Sequence, residues 1–214
     1  TIPLKMLAKQ EVLYRKASRE GLIKLEHGEI IDIPNTIAMI VRLRQILSSP
    51  SAFGIKALSC KVQAVLDLID STDDKLVVFS QFRATVEEIS KRLDLKGIKH
   101  RVLLGGMEAS FAVKEFQSDP FCKVFVATAS SGGVGLTLTS SRISVFIEKH
   151  WNPAQQQQAE DRIHRIGQSR KVLIINLICP GTVDSLVESI LKRKLSMVDA
   201  VFKDELSKVL ENWA

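Results

Sequence analysis

Four apolar runs constrain this chain more than any other feature: "KLVVF" (Lys75–Phe79), "KVFVA" (Lys123–Ala127), "ISVFI" (Ile143–Ile147) and "KVLIINLI" (Lys171–Ile178). Each is apolar on nearly every consecutive residue. Side chains of a strand alternate between its two faces, so such a run must be buried on both. "HRVLL" (His100–Leu104) adds a fifth strand, and between the strands lie the amphipathic stretches "KVQAVLDLID", "TVEEISKRLDL" and "SFAVKEFQ". Strands alternating with helices predict an α/β fold, a mostly parallel central sheet with helices on both faces. Ligands of such sheets sit beyond the carboxyl ends of the strands. Ser80 and Gln81 follow the first run and Thr128 follows the second, so all three are expected on one edge.

The flanks read differently. Residues 3–20 predict a charged helix, and "GEIIDIP" (Gly28–Pro34) a short strand closed by proline. Thr36 to Leu47 predicts a helix with Ile37, Ile40, Val41 and Ile46 on its apolar side and Arg42 and Arg44 turned elsewhere. "SSPSAFG" (Ser48–Gly54) is a cluster of helix breakers and the best boundary. It divides an N-terminal helical segment, 1–50, from a central lobe, 51–180. Thr182 to about Lys208 predicts a long, charged, amphipathic helix or pair of helices, making 181–214 a C-terminal segment.

Several classes are excluded or disfavoured. No apolar run is long enough to span a bilayer, and the first residues show no apolar h-region of the kind a signal peptide has. Cys60, Cys122 and Cys179 are far apart with no C-x-x-C pair. That argues against a zinc site or disulfide framework, predicts buried thiols and fits an intracellular, reducing setting. No metal ligands are assigned. The net charge of +6 suits a polyanionic partner without requiring one.

The stretch "QQQQAEDRIHRIGQ" (Gln155–Gln168) carries the chemistry. Asn152-Pro153 is a good helix start and Gly167 a good stop. Ala159, Ile163 and Ile166 fall at i, i+4 and i+7, a buried stripe. Gln158, Arg162 and Arg165 repeat that spacing as an adjacent polar stripe, and Asp161 can pair with Arg165. Two guanidiniums on a fixed platform can brace phosphoryl oxygens as charge develops on them. The same spacing also describes a solvated helix with surface arginines, and spacing does not choose between these readings.

The whole string does. "QAEDRIHRIGQ" resembles motif VI of the Swi/Snf-type ATPases, duplex-DNA translocases of helicase superfamily two, whose pattern is Q-A-x-x-R-x-H-R-I-G-Q. "LRQILSSP" (Leu43–Pro50), "KLVVFSQF" (Lys75–Phe82, similar to motif IV), "VFVATASSGGVGLTLT" (Val124–Thr139, similar to motif V) and "WNP" (Trp151–Pro153) follow the family's order. The resemblance implies the second of two RecA-like lobes, with residues 181–214 as a brace helix. ATP and Mg2+ are then bound mainly by an N-terminal RecA-like lobe of the same protein. No G-x-x-x-x-G-K-[ST] phosphate loop occurs in this chain, so the chain alone is expected to hydrolyse nothing.

By that resemblance Arg162 and Arg165 act as fingers toward the γ-phosphate and Gln158 orients them. His164 couples to the opposite lobe, against the alternative of a packed histidine. Gly133 and Gly135 let backbone approach the nucleotide edge, against an ordinary glycine turn. Ser80, Gln81 and Thr128 meet DNA phosphates, and Trp151 lies against the strand near the minor groove, against the alternative of bracing the helix start. Duplex DNA is the implied partner, and the implied setting is intracellular, with DNA. Two positions depart from the family: Ser130 stands where many members have a basic DNA contact, and Ser110-Phe111 lacks the usual helix-opening arginine. An RNA helicase lobe of the same superfamily, which normally has an arginine where Gln168 stands, and a non-catalytic scaffold module are the competing readings.

Overall fold

The parity of the strands decides which helix covers which face. In the computed structural model, Leu76 and Val78 of one strand point to one side of the sheet and Val77 and Phe79 to the other. The structure describes residues 1–20, 22–24, 30–32, 35–131, 136–162, 168 and 170–194. In chain order it contains β1 (Ile2–Pro3), α1 (Ala8–Glu20), β2 (Leu22–Lys24), β3 (Ile30–Asp32), α2 (Thr36–Ser48) and a 3-10 turn (Pro50–Phe53). There follow α3 (Cys60–Asp70), β4 (Leu76–Ser80), α4 (Arg83–Leu95), β5 (His100–Leu103) and α5 (Ala109–Ser118). Then come β6 (Val124–Thr128), β7 (Ile143–Phe146), α6 (Pro153–Glu160) and β8 (Leu173–Ile178). Residues 183–194 are helical again.

Six strands form one sheet in the order β1-β8-β7-β4-β6-β5, every neighbouring pair parallel. β2 and β3 make a separate antiparallel hairpin. The predicted α/β class is thus the observed one. The five predicted sheet strands are present, and β1 and β2 are additions. β1 has only two residues and ends in proline, too short to show a pattern.

On one face, Val62, Val65, Leu66 and Ile69 of α3 and Val86, Ile89 and Leu93 of α4 pack on Leu76, Val78, Val124 and Val126. On the other, Ala112 and Phe116 of α5 and Ala159 of α6 pack on Val77, Phe79, Phe125, Ala127 and Phe146. Each fully buried Val, Leu or Phe contributes roughly 1.5–3 kcal/mol relative to exposure. No helix among the described residues is long and apolar enough to cross a membrane.

A third cluster joins the flanks to the lobe. Tyr14 and Ala17 of α1, Leu43, Ile46 and Leu47 of α2, Cys60, Cys179 and Val183 meet there. The 1–50, 51–180 and 181–214 segments all contribute to it. Gln10 is the polar pin: Nε2 donates to the Ile46 and Leu47 carbonyls at 3.0 and 2.8 Å, and Oε1 accepts from the Cys60 N–H at 3.0 Å. One amide thereby satisfies the orphan end of α2 and the orphan start of α3. All three cysteines are buried free thiols, as predicted.

The face assignment of α2 needs correction. Ile37 is 73% exposed and Arg44 is 1% exposed, the reverse of the expected arrangement. The buried stripe is Leu43, Ile46 and Leu47, which rotates the helix and carries Arg44 inward. At the C-terminal end, Val183, Val187 and Leu191 bury one stripe of the final helix at i, i+4 and i+8.

Candidate functional site

The carboxyl ends of β4, β6 and β7 lie side by side. Ser80 and Thr128 are direct register partners, and Phe79 is the partner of Phe146. The Ala129 N–H donates to the Ser80 carbonyl at 2.8 Å, and the Ile147 N–H to the Phe79 carbonyl at 3.0 Å. The predicted edge is therefore formed.

Its first member differs from expectation. The Ser80 hydroxyl is buried and donates to Glu148 Oε2 at 2.9 Å, turned into the protein rather than outward. The Gln81 N–H donates to the same oxygen at 2.8 Å. Glu148 itself is buried. This carboxylate immediately follows the run Ile143–Ile147, apolar except for Ser144, the same signal that marked Ser80 and Thr128, and sequence reading missed it. Gln81 is half-buried; its Nε2 donates to the Lys149 carbonyl at 2.8 Å.

Thr128 stands where β6 ends. It is buried, and its Oγ1 has no hydrogen-bond partner among the described residues. Its carbonyl accepts from the Ser131 N–H and hydroxyl at 3.0 and 2.7 Å, turning the chain tightly after the strand. Ser130, on that turn, is exposed. Gly133 and Gly135 lie outside the described residues.

Trp151 is half-buried, just before α6. Asn152 caps that helix through Oδ1, which accepts from the Ala154 N–H at 2.9 Å, with Pro153 in the first turn, as predicted. The face of Trp151 is covered by Arg44, whose Cζ lies 4.9 Å from the ring centroid. Nothing in the periodicity of α2 announced this contact. Beside it, burial and then the Arg44 charge hold His150 below the ordinary imidazole range.

Of the predicted polar stripe, Gln158 and Arg162 are described. α6 ends at Glu160, and Asp161 and Arg162 lie in the turn that follows. Gln158 is exposed, as expected of the polar side. Arg162 is 6% exposed, its guanidinium Cζ 5.8 Å from the Phe79 ring centroid, and its carbonyl accepts from the Leu138 N–H at 3.2 Å. Burial lowers its pKa. Its Nη1 has no partner among the described residues. Asp161 accepts from Gln157 Nε2 at 2.8 Å. His164, Arg165 and Gly167 lie outside the described residues. Gln168 bridges the end of this motif to the preceding one, Nε2 donating to the Thr139 and Ser141 carbonyls at 3.1 and 2.7 Å.

Arg162 offers a desolvated guanidinium with an N–H unmatched among the described residues, a donor suited to an anion. A buried unpaired donor costs about 1–3 kcal/mol, so a phosphate oxygen at Arg162 would recover that loss. Such a donor fits ATP phosphates. For Mg2+, the described residues hold no cluster of three or more His, Cys, Asp or Glu. No metal step is therefore assigned to them.

Comparison with known proteins shows the family and the fold. The family model described as the helicase conserved C-terminal domain matches residues 60–167, half of the chain. The TATA-binding protein-associated factor BTAF1 of Arabidopsis thaliana is 34% identical over 179 residues, which is 78% of this chain and 9% of that protein. The chain thus spans less than a tenth of that relative's length. The C-terminal part of the Fun30 ATPase domain has the same fold, with a TM-score of 0.71 at 17% identity, covering 97% of this chain and 96% of that one. The Sulfolobus solfataricus SWI2/SNF2 ATPase core in complex with dsDNA gives a TM-score of 0.68 at 22% identity, over 92% of this chain and 44% of that one. This chain belongs to the helicase conserved C-terminal domain family, as a C-terminal RecA-like lobe of the Swi/Snf type.

Proposed function

We propose that this chain is the second motor lobe of an ATP-driven duplex-DNA translocase. ATP sits between it and a first lobe that supplies the phosphate loop and metal ligands, and closure of the two lobes brings this lobe's arginines to the γ-phosphate. Arg165 and Arg162 brace the developing charge, with Gln158 beside them, His164 coupling to the facing lobe and Gly133 and Gly135 close to the nucleotide. Mg2+, bound with the nucleotide, would neutralise phosphate charge.

One observation carries the arginine assignment: Arg162 is buried with an N–H unmatched among the described residues. Its ring contact with Phe79 is worth about 0.5–2 kcal/mol. A charge-assisted bond to a phosphate is stronger than a neutral one, so exchanging ring for phosphate on closure is favourable. In the separate lobe Arg162 is thus held back rather than displayed.

The track is the phosphate backbone. Gln81, Thr128 and Trp151 meet it from three neighbouring loops of one edge. Ser80 contributes indirectly, by holding Glu148, which in turn fixes the Gln81 backbone. The duplex seen with the archaeal relative belongs to that protein's structure; carrying it to this chain is part of the proposal.

The test joins this chain to a phosphate-loop lobe and compares ATP hydrolysis stimulated by duplex DNA and by RNA. The proposal expects stimulation by duplex DNA of any sequence, falling steeply with salt. Stimulation by RNA alone would assign the lobe to RNA helicases, and turnover by the isolated chain would overturn the two-lobe scheme.

A further inference from the structure

Arg44 is an arginine where packing alone would favour methionine or leucine. It is 1% exposed on α2, and burial lowers its pKa, with the more distant Glu148 and Asp184 opposing that shift. Among the described residues no carboxylate forms an ion pair with it, and its Nε has no hydrogen-bond partner. A guanidinium kept in that state contributes little to stability as a charge. Its geometry, in contrast, is used on three sides. Nη2 donates to the Lys149 carbonyl at 2.5 Å, Nη1 donates to Gln81 Oε1 at 3.3 Å, and the guanidinium covers the Trp151 ring at 4.9 Å.

These contacts close a ring. Gln81 Nε2 donates to the same Lys149 carbonyl at 2.8 Å, so the loop after β4 and the loop after β7 are tied to each other and to α2 through one planar group. A lysine cannot do this: its ammonium is a point charge without a flat face or fixed fork. We infer that Arg44 is a positioning residue, which sets Trp151 and Gln81 as one rigid unit of the track-facing edge. The inference deepens the reading above and rests on it for the statement that this edge meets DNA.

The test uses this chain with Trp213, its other tryptophan, replaced by Phe, so that Trp151 alone fluoresces. Acrylamide quenching reports how firmly the ring is covered. Arg44→Met removes fork and charge while filling the space; it is expected to raise the quenching constant about threefold, with cooperative unfolding retained. Arg44→Lys keeps the charge and the stem without the fork or the flat face; it is expected to leave quenching raised about twofold, and it decides the matter if the Met variant does not fold. In parallel, affinity for a fluorescein-labelled duplex is expected to fall about tenfold in Arg44→Met, because Trp151 and Gln81 lose their fixed placement at the edge.

Unchanged Trp151 quenching in a folded Arg44→Met protein would overturn the inference. So would an Arg44→Lys protein in which quenching returns to normal, because bulk and charge would then suffice. If the unsubstituted chain binds no duplex, the DNA reading of the edge fails; the quenching series still decides whether Arg44 positions it.

Discussion

Lys61 Nζ lies 2.7 Å from Asp184 Oδ2, and both side chains are buried. Lys61 also donates to the Ile147 carbonyl at 2.9 Å, and the Cys179 N–H donates to Asp184 Oδ2 at 3.0 Å. The pair thus knots α3, the ends of β7 and β8, and the final helix. Removing one partner of a buried pair leaves an uncompensated charge and typically costs 3–5 kcal/mol, about the loss expected for Lys61→Met by urea unfolding. Adding Asp184→Leu should recover at least about 1 kcal/mol, because the orphan charge goes with it.

Gln10 offers a neutral counterpart. Its amide satisfies the Ile46 and Leu47 carbonyls and the Cys60 N–H in a site without solvent. Gln10→Leu fills the space and abandons all three. A loss of roughly 2–4 kcal/mol in unfolding free energy is expected, with no change in duplex affinity.

His150 gives a pH signature. Burial and the neighbouring Arg44 charge depress its folded-state pKa, so as pH falls the unfolded chain takes up this proton first. Stability is therefore full above the ordinary imidazole pKa of about 6.5 and declines as pH drops from there toward the folded value. His150→Gln should flatten that decline when urea midpoints are compared on either side of neutrality. An equal acid sensitivity in the variant would assign it to other groups.

Trp151 and Ser80 separate direct from indirect roles at the track. Trp151→Ala should weaken duplex binding by about 1–2 kcal/mol, equally for unrelated sequences. Ser80→Ala should chiefly lower stability by about 1 kcal/mol, since its hydroxyl bonds Glu148. Fluorescence anisotropy with two duplexes of different sequence, alongside unfolding curves, checks both.

How much of this was legible beforehand follows from what local pattern encodes. The runs Leu76–Ser80 and Val124–Thr128 declare buried strands because every residue is apolar or β-branched up to the edge, and the parallel order places their ends together. Asn152-Pro153 declares the start of α6 by backbone chemistry alone. Arg44 was misjudged because two apolar stripes compete on α2, and only the distant Trp151 and Lys149 decide which turns inward. The burial of Arg162 was not legible, because periodicity places it on the polar side of a helix and only its distant contact with Phe79 draws it inward. Glu148 is legible by the edge rule, because it directly follows the run Ile143–Ile147.

The central claim is that an arginine of this lobe completes an ATPase site shared with another. It is tested most directly by Arg165→Ala in a protein carrying both lobes, measuring ATP affinity and duplex-stimulated hydrolysis together. The account predicts hydrolysis reduced by about 10³-fold or more, with ATP affinity within roughly threefold of the unsubstituted protein. Hydrolysis within about tenfold of the unsubstituted protein would contradict it.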